Sequence, residues 1–169
     1  IVAVRIGTAD AAVDMTSISS SGAASTTFTV FQTISNFTGT LAATTGVATG
    51  QTLTLAAAKA TGKTITGAGS GSVVVTALDQ TLNADVSNVT ADTGNSGSVT
   101  GTFLTSGTCE GNFGTAGMTV TISDGATMTV AANKVDGSDG PTLQKDGSSG
   151  TGIVAVRIGT ADAAVDMTS

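Results

Sequence analysis

The first seventeen residues of the chain, IVAVRIGTADAAVDMTS (Ile1–Ser17), return without a change as Ile153–Ser169. An identity this long is the mark of a tandem array, with Ile1 and Ile153 the same position in successive units and a period of 152 residues (153 − 1). In such an array each unit buries its neighbour's apolar edge, so the fold must be one that stacking can extend. The chain then reads as one full unit plus the start of the next, an excerpt from a much longer protein. The alternative is a tail duplicated to close the fold.

A fainter echo divides the unit. TLTLAAAKATG (Thr52–Gly62) returns as TMTVAANKVDG (Thr127–Gly137), 75 residues on, and NFTGT (Asn36–Thr40) returns loosely as NFGT (Asn112–Thr115), 76 residues on. SVVVTALDQTLNADVSNV (Ser72–Val89) resembles the closing segment at a shift of 81: Val73 and Val75 match Val154 and Val156, and Asp85 matches Asp166, the copy of Asp14. The insert GPTLQKDGSSG (Gly140–Gly150) supplies the larger shift. The unit is therefore expected to comprise two diverged halves, residues 1–76 and 77–152, with residues 153–169 opening the next unit.

What such units can pack is set by their side chains. Hydrophobic residues make up 40% of the chain and charged ones 11%, the reverse of a disordered composition, so the chain should fold. Aromatics are only 3%, and the apolar residues are mostly Ala and Val, which suit closely stacked strands better than a wide globular core. The abundant Thr and Ser can line strand faces in hydrogen-bonded ladders. Period-two alternation predicts strands in FTVFQTI (Phe28–Ile34), TLTL (Thr52–Leu55), KTITG (Lys63–Gly67), MTVTI (Met118–Ile122) and TMTV (Thr127–Val130). SVVVTAL and IVAVRI read as short apolar strands buried on both faces. Turn signals separate them, at Ser70-Gly71, Ser96-Gly97, Asp124-Gly125, Asp136-Gly137, Asp139-Gly140 and Asp146-Gly147. LAAAKA (Leu55–Ala60) alone looks helical, and it is too short to stand by itself. The expected fold is all-β, a tandem-repeat β-solenoid, because stacked rungs need no bulky anchor. The alternative is a string of small β-sandwich, immunoglobulin-like modules.

The stretch TLTLAAAKATGKTITGAGSGSVVVTALDQTLNADVSNVT (Thr52–Thr90) resembles the Gly/Thr/Ala-rich repeats of very large bacterial surface proteins, including adhesin stalks and calcium-dependent surface-layer proteins. The likeness is one of composition and rhythm and covers most of the chain. It implies an extracellular, repetitive, load-bearing or surface-coating role. The calcium-binding nonapeptide G-G-x-G-x-D-x-U-x of one branch does not occur here.

The chemistry the residues permit is narrow. There is no His, hence neither the usual general base nor the usual metal ligand. No P-loop and no G-x-S-x-G is present, and GAGSGS (Gly67–Ser72) reads as a turn rather than a phosphate loop. The chain is thus expected not to be an enzyme, with no catalytic, cofactor-binding or metal residue assigned. DGSDG (Asp136–Gly140) is the one stretch that could hold calcium, against a reading as two Asp-Gly turns. Asp85 and Asp166 read as corner residues whose carboxylates bond backbone. Cys109, the lone cysteine, reads as a small buried residue, with a bridge to a neighbouring repeat or chain as the alternative. Asn36-Phe37-Thr38 and Asn88-Val89-Thr90 are N-x-T sequons. Net charge is −6, and the six basic residues are scattered, which argues against nucleic acid. No apolar run is long enough to span a bilayer. The expected partners are neighbouring repeats and other copies of the chain. The expected role is a structural, extracellular or cell-surface filament, stalk or S-layer-like coat. The alternative role is an adhesin whose repeats bind a glycan or a partner surface.

Overall fold

The computed structural model describes residues 2–18, 26–113, 117–135 and 140–159. Strands β1 (Val2–Ile6) and β2 (Thr26–Val30) open a first sheet. The chain then alternates between two sheets. It places β3 (Ile34–Phe37), β5 (Thr52–Ala56), β7 (Ser72–Thr76) and β9 (Val99–Phe103) in a second sheet, and β4 (Thr44–Val47), β6 (Thr64–Gly67) and β8 (Val89–Ala91) in the first. From β10 (Gly107–Cys109) onward a third sheet takes the first one's place. It holds β10, β12 (Thr127–Ala131) and β14 (Ile153–Arg157), and alternates with β11 (Met118–Ile122) and β13 (Thr142–Lys145) of the second. Among the described residues the sheets have five, six and three strands, and none closes on itself.

Every strand pair among the described residues is parallel, which is not the pairing of an immunoglobulin-like sandwich. The six-stranded ladder runs from β3 to β13, with one register shift between Ile34 and Phe37, and β7 pairs with β9 across position 76. The fold is all-β. The one α-helix among the described residues, α1 (Ala57–Ala60), is a single turn, and no described helix is long and apolar enough to cross a membrane.

Alternation in the sequence becomes columns in the fold, because side chains in register on stacked parallel strands lie above one another. In the second sheet Leu53, Val73, Val99 and Met118 form one inward column and Leu55, Val75, Gly101 and Val120 the next. Their apolar members are all buried. Thr54, Val74, Thr100, Thr119 and Thr142 stack on the outer face, so hydroxyls dominate there. In the first sheet Thr45, Ile65 and Val89 share an inward column. Thr45 is buried with no hydrogen-bond partner for its hydroxyl. In the third, Cys109, Val130 and Val156 share one.

Four expectations change. FTVFQTI is not one strand: β2 and β3 lie in different sheets, with Phe31, Gln32 and Thr33 turning the corner, exposed. The alternation itself breaks at that corner, where Val30 is followed by a second apolar residue, Phe31, and then by two polar ones, Gln32 and Thr33. SVVVTAL is not buried on both faces; Val73 and Val75 point in, while Val74 lies on the partly open face. IVAVRI is not buried on both faces either, since its two copies are edge strands with exposed Val2, Ile153 and Val154. The helical reading of LAAAKA shrinks to α1, and its copy at Ala132–Lys134 is a 3₁₀ turn.

Candidate functional site

The sequence gives Asp14 and Asp85 the same local grammar: Asp, an apolar residue, then Thr or Ser. Asp14 accepts hydrogen bonds from the Thr16 backbone N–H (3.0 Å), the Thr16 hydroxyl (2.6 Å) and the Ser17 hydroxyl (3.0 Å). Asp85 accepts from the Ser87 N–H (3.2 Å) and hydroxyl (2.6 Å). These are the side-chain-to-backbone bonds of Asx turns. The Thr16 hydroxyl, with the Ser17 hydroxyl second, holds the Asp14 carboxyl below its ordinary pKa. The Ser87 hydroxyl does the same for Asp85, aided by the positive charge of Lys134.

Each Asp also anchors its corner to the next turn of chain. Asp14 is bridged in parallel to Thr40, and Asp85 to Asn112. The Met15 N–H donates to the Thr40 carbonyl and the Val86 N–H to the Asn112 carbonyl, both at 2.8 Å. The Thr40 N–H returns a bond to Val13 and the Asn112 N–H one to Ala84. This close approach requires glycine at the preceding position. A Cβ on Gly39 would lie 2.1 Å from the Val13 carbonyl oxygen, and one on Gly111 2.2 Å from that of Ala84. Two corners 71 and 72 residues apart (85 − 14 and 112 − 40) thus share one design, which the looser match of Asn36 with Asn112 did not register.

Other carboxylates staple neighbouring turns in the same way. Asp79 accepts from the Leu104 N–H and the Thr105 hydroxyl, and Asp124 from the Thr151 N–H. Arg157 pairs with Glu110, both partly exposed, and the Arg5 guanidinium lies 3.3 Å over the Phe31 ring. None of these partners could be read from the sequence, because each lies a turn or more away along the chain.

The remaining candidates stand apart from one another. Cys109 is buried, free, and pushed up in pKa by that burial, which keeps it a thiol. Asn36 and Asn88 are exposed. Gly67–Ser72 forms the turn from β6 to β7, with Gly69 at φ +52°. Asp136, Asp139 and Asp166 lie outside the described residues. Among the described residues no three Asp, Glu, Cys or His side chains gather as a metal site. A shallow groove of about 270 Å³ beside Thr27, Thr29, Thr44 and Thr66, and another of about 110 Å³ beside Val89, Thr93, Val99 and Met118, are smaller than most small-molecule sites. No protein-family model, no curated protein and no solved structure matches the chain.

Proposed function

We propose that the chain is a stretch of β-solenoid whose function is structural, as a rod within an extracellular fibre, stalk or surface coat. The observation that carries this reading is the parallel pairing that links all six strands of the second sheet. Along it each strand pairs with the strand two elements on, and paired residues lie 18 to 26 positions apart (37 to 55, 73 to 99). A chain that returns to the same ladder at such intervals winds, and winding adds length without adding a new core. The exposed faces fit a rod. They carry Thr and Ser hydroxyls over an apolar interior, and a net charge of −6 that keeps the rod soluble. The carboxylates described above are engaged with backbone and hydroxyl groups at corners, which is a stapling role rather than a catalytic one. The same paucity of aromatic platforms that leaves the core thin weighs against a glycan-binding face.

Two experiments test this reading. Immunogold labelling of the source cells should place the protein outside the membrane. A glycan array probed with the chain should give no saturable, competable ligand; a specific one would convert the reading to that of an adhesin.

A further inference from the structure

The two copies of IVAVRI stand at opposite ends of the fold, and they are bonded on opposite edges. In the first copy the Ile6 carbonyl accepts from the Phe31 N–H at 2.8 Å, so the even-numbered residues turn their backbone groups toward β2, the strand that follows. In the second copy the Ile153 N–H donates to the Ala126 carbonyl at 2.9 Å, so the odd-numbered residues turn theirs toward β12, the strand that precedes. The period of 152 preserves parity. The two copies therefore use complementary halves of one strand's hydrogen-bonding groups, as the two edges of a single central strand would.

We propose that Val2–Ile6 and Val154–Ile158 are one structural position, a joint strand whose free edge takes the next 152-residue unit of the same chain. This inference rests on the stacked-rod reading above and specifies its joint. Three further observations support it. Val4 and Val156, the same position, both pack against the core. Joining the copies therefore fuses the column Cys109, Val130, Val156 to the one that begins Val4, Phe28. Ile6 is 2% exposed under β2, whereas its copy Ile158, beside which no strand lies among the described residues, is 66% exposed. An isoleucine left that open is the apolar edge a next unit would cover. Finally, Arg157 pairs with Glu110 on the preceding side and Arg5 stacks on Phe31 on the following side. One arginine at the joint would make both contacts and tie successive units together.

Amide hydrogen exchange tests this residue by residue. In the 169-residue chain, Ala155 and Arg157 should exchange slowly and Val156 fast, while Val4 and Ile6 are slow and Arg5 is fast. In a chain lengthened by one further unit, with the middle copy isotopically labelled, Val156 should slow by at least about a hundredfold. Val156→Pro, which removes an N–H facing outward, should destabilise the shorter chain no more than Val156→Ala, which removes the same packing and keeps the N–H. In the longer chain it should split unfolding into two transitions. Rapid exchange at Val156 in the longer chain, with Ala155 still protected, overturns the joint and leaves the rod standing. Rapid exchange at Ala155 in the shorter chain overturns both. Protection of Val156 in the shorter chain that grows with concentration would make the occupant a second molecule and contradict the in-line joint.

Discussion

At Gly39 and Gly111 the backbone of one turn passes so close to the carbonyl of another that no side chain can enter. Neither oxygen can withdraw without breaking the bridges that hold Asp14 to Thr40 and Asp85 to Asn112. Gly111→Ala should therefore destabilise the chain by about 2–3 kcal/mol in denaturant titration. Gly101→Ala is the control, because its nearest neighbours are the movable tips of Met118 and Leu78, and it should cost less. Thr45 makes the opposite prediction. Its hydroxyl interrupts an apolar column without a partner, so Thr45→Val should stabilise by about 1 kcal/mol. The Asp corners set the acid limb. Both carboxyls are held below their ordinary value, so they stabilise the fold above the unfolded pKa of about 3.9 and lose that contribution as pH falls through the lowered folded one. In Asp85→Asn the melting temperature should fall less steeply below pH 4 than in the parent; parallel curves would contradict the assignment.

At the scale of elements, stability resides in the inward columns. Leu55→Ala in β5 opens a cavity between β3 and β7 and should cost about 2–5 kcal/mol, read as a shift in the denaturant midpoint. Thr54→Ala, on the outer face of the same strand, should lie within about 0.5 kcal/mol of the parent. The strands that the sequence revealed best were those whose alternation ends at a Gly turn, such as β11 and β12, where period and breaker agree. What it concealed was the choice of sheet. β2 and β3 each place apolar residues inward, Val30 and Ile34, and the broken alternation at Phe31, Gln32 and Thr33 was the one local sign of the corner between them. The Asp-x-Thr/Ser corners were legible as backbone-bonding residues, but their glycine receivers were not. The signal for Gly39 and Gly111 lies in the pairing of turns about 26 residues apart (40 − 14), which no local window contains. Cys109 was legible as a small buried residue for a simple reason: its neighbours in register are valines.

At the scale of the whole molecule, the exact repeat at Ile1 and Ile153 and the all-parallel pairing point to one conclusion by separate routes. The repeat requires a fold that can be extended, and the ladders extend by adding strands of the same direction. The measurement that tests this most directly is the length added per 152-residue unit, by electron microscopy of chains with one and with three units. Strands recurring about every 21 residues and 4.8 Å apart predict roughly 34 Å per unit, in a straight and unjointed rod. An increment of roughly 60 Å per unit with visible joints, the size of two compact modules of about 76 residues, would contradict the account.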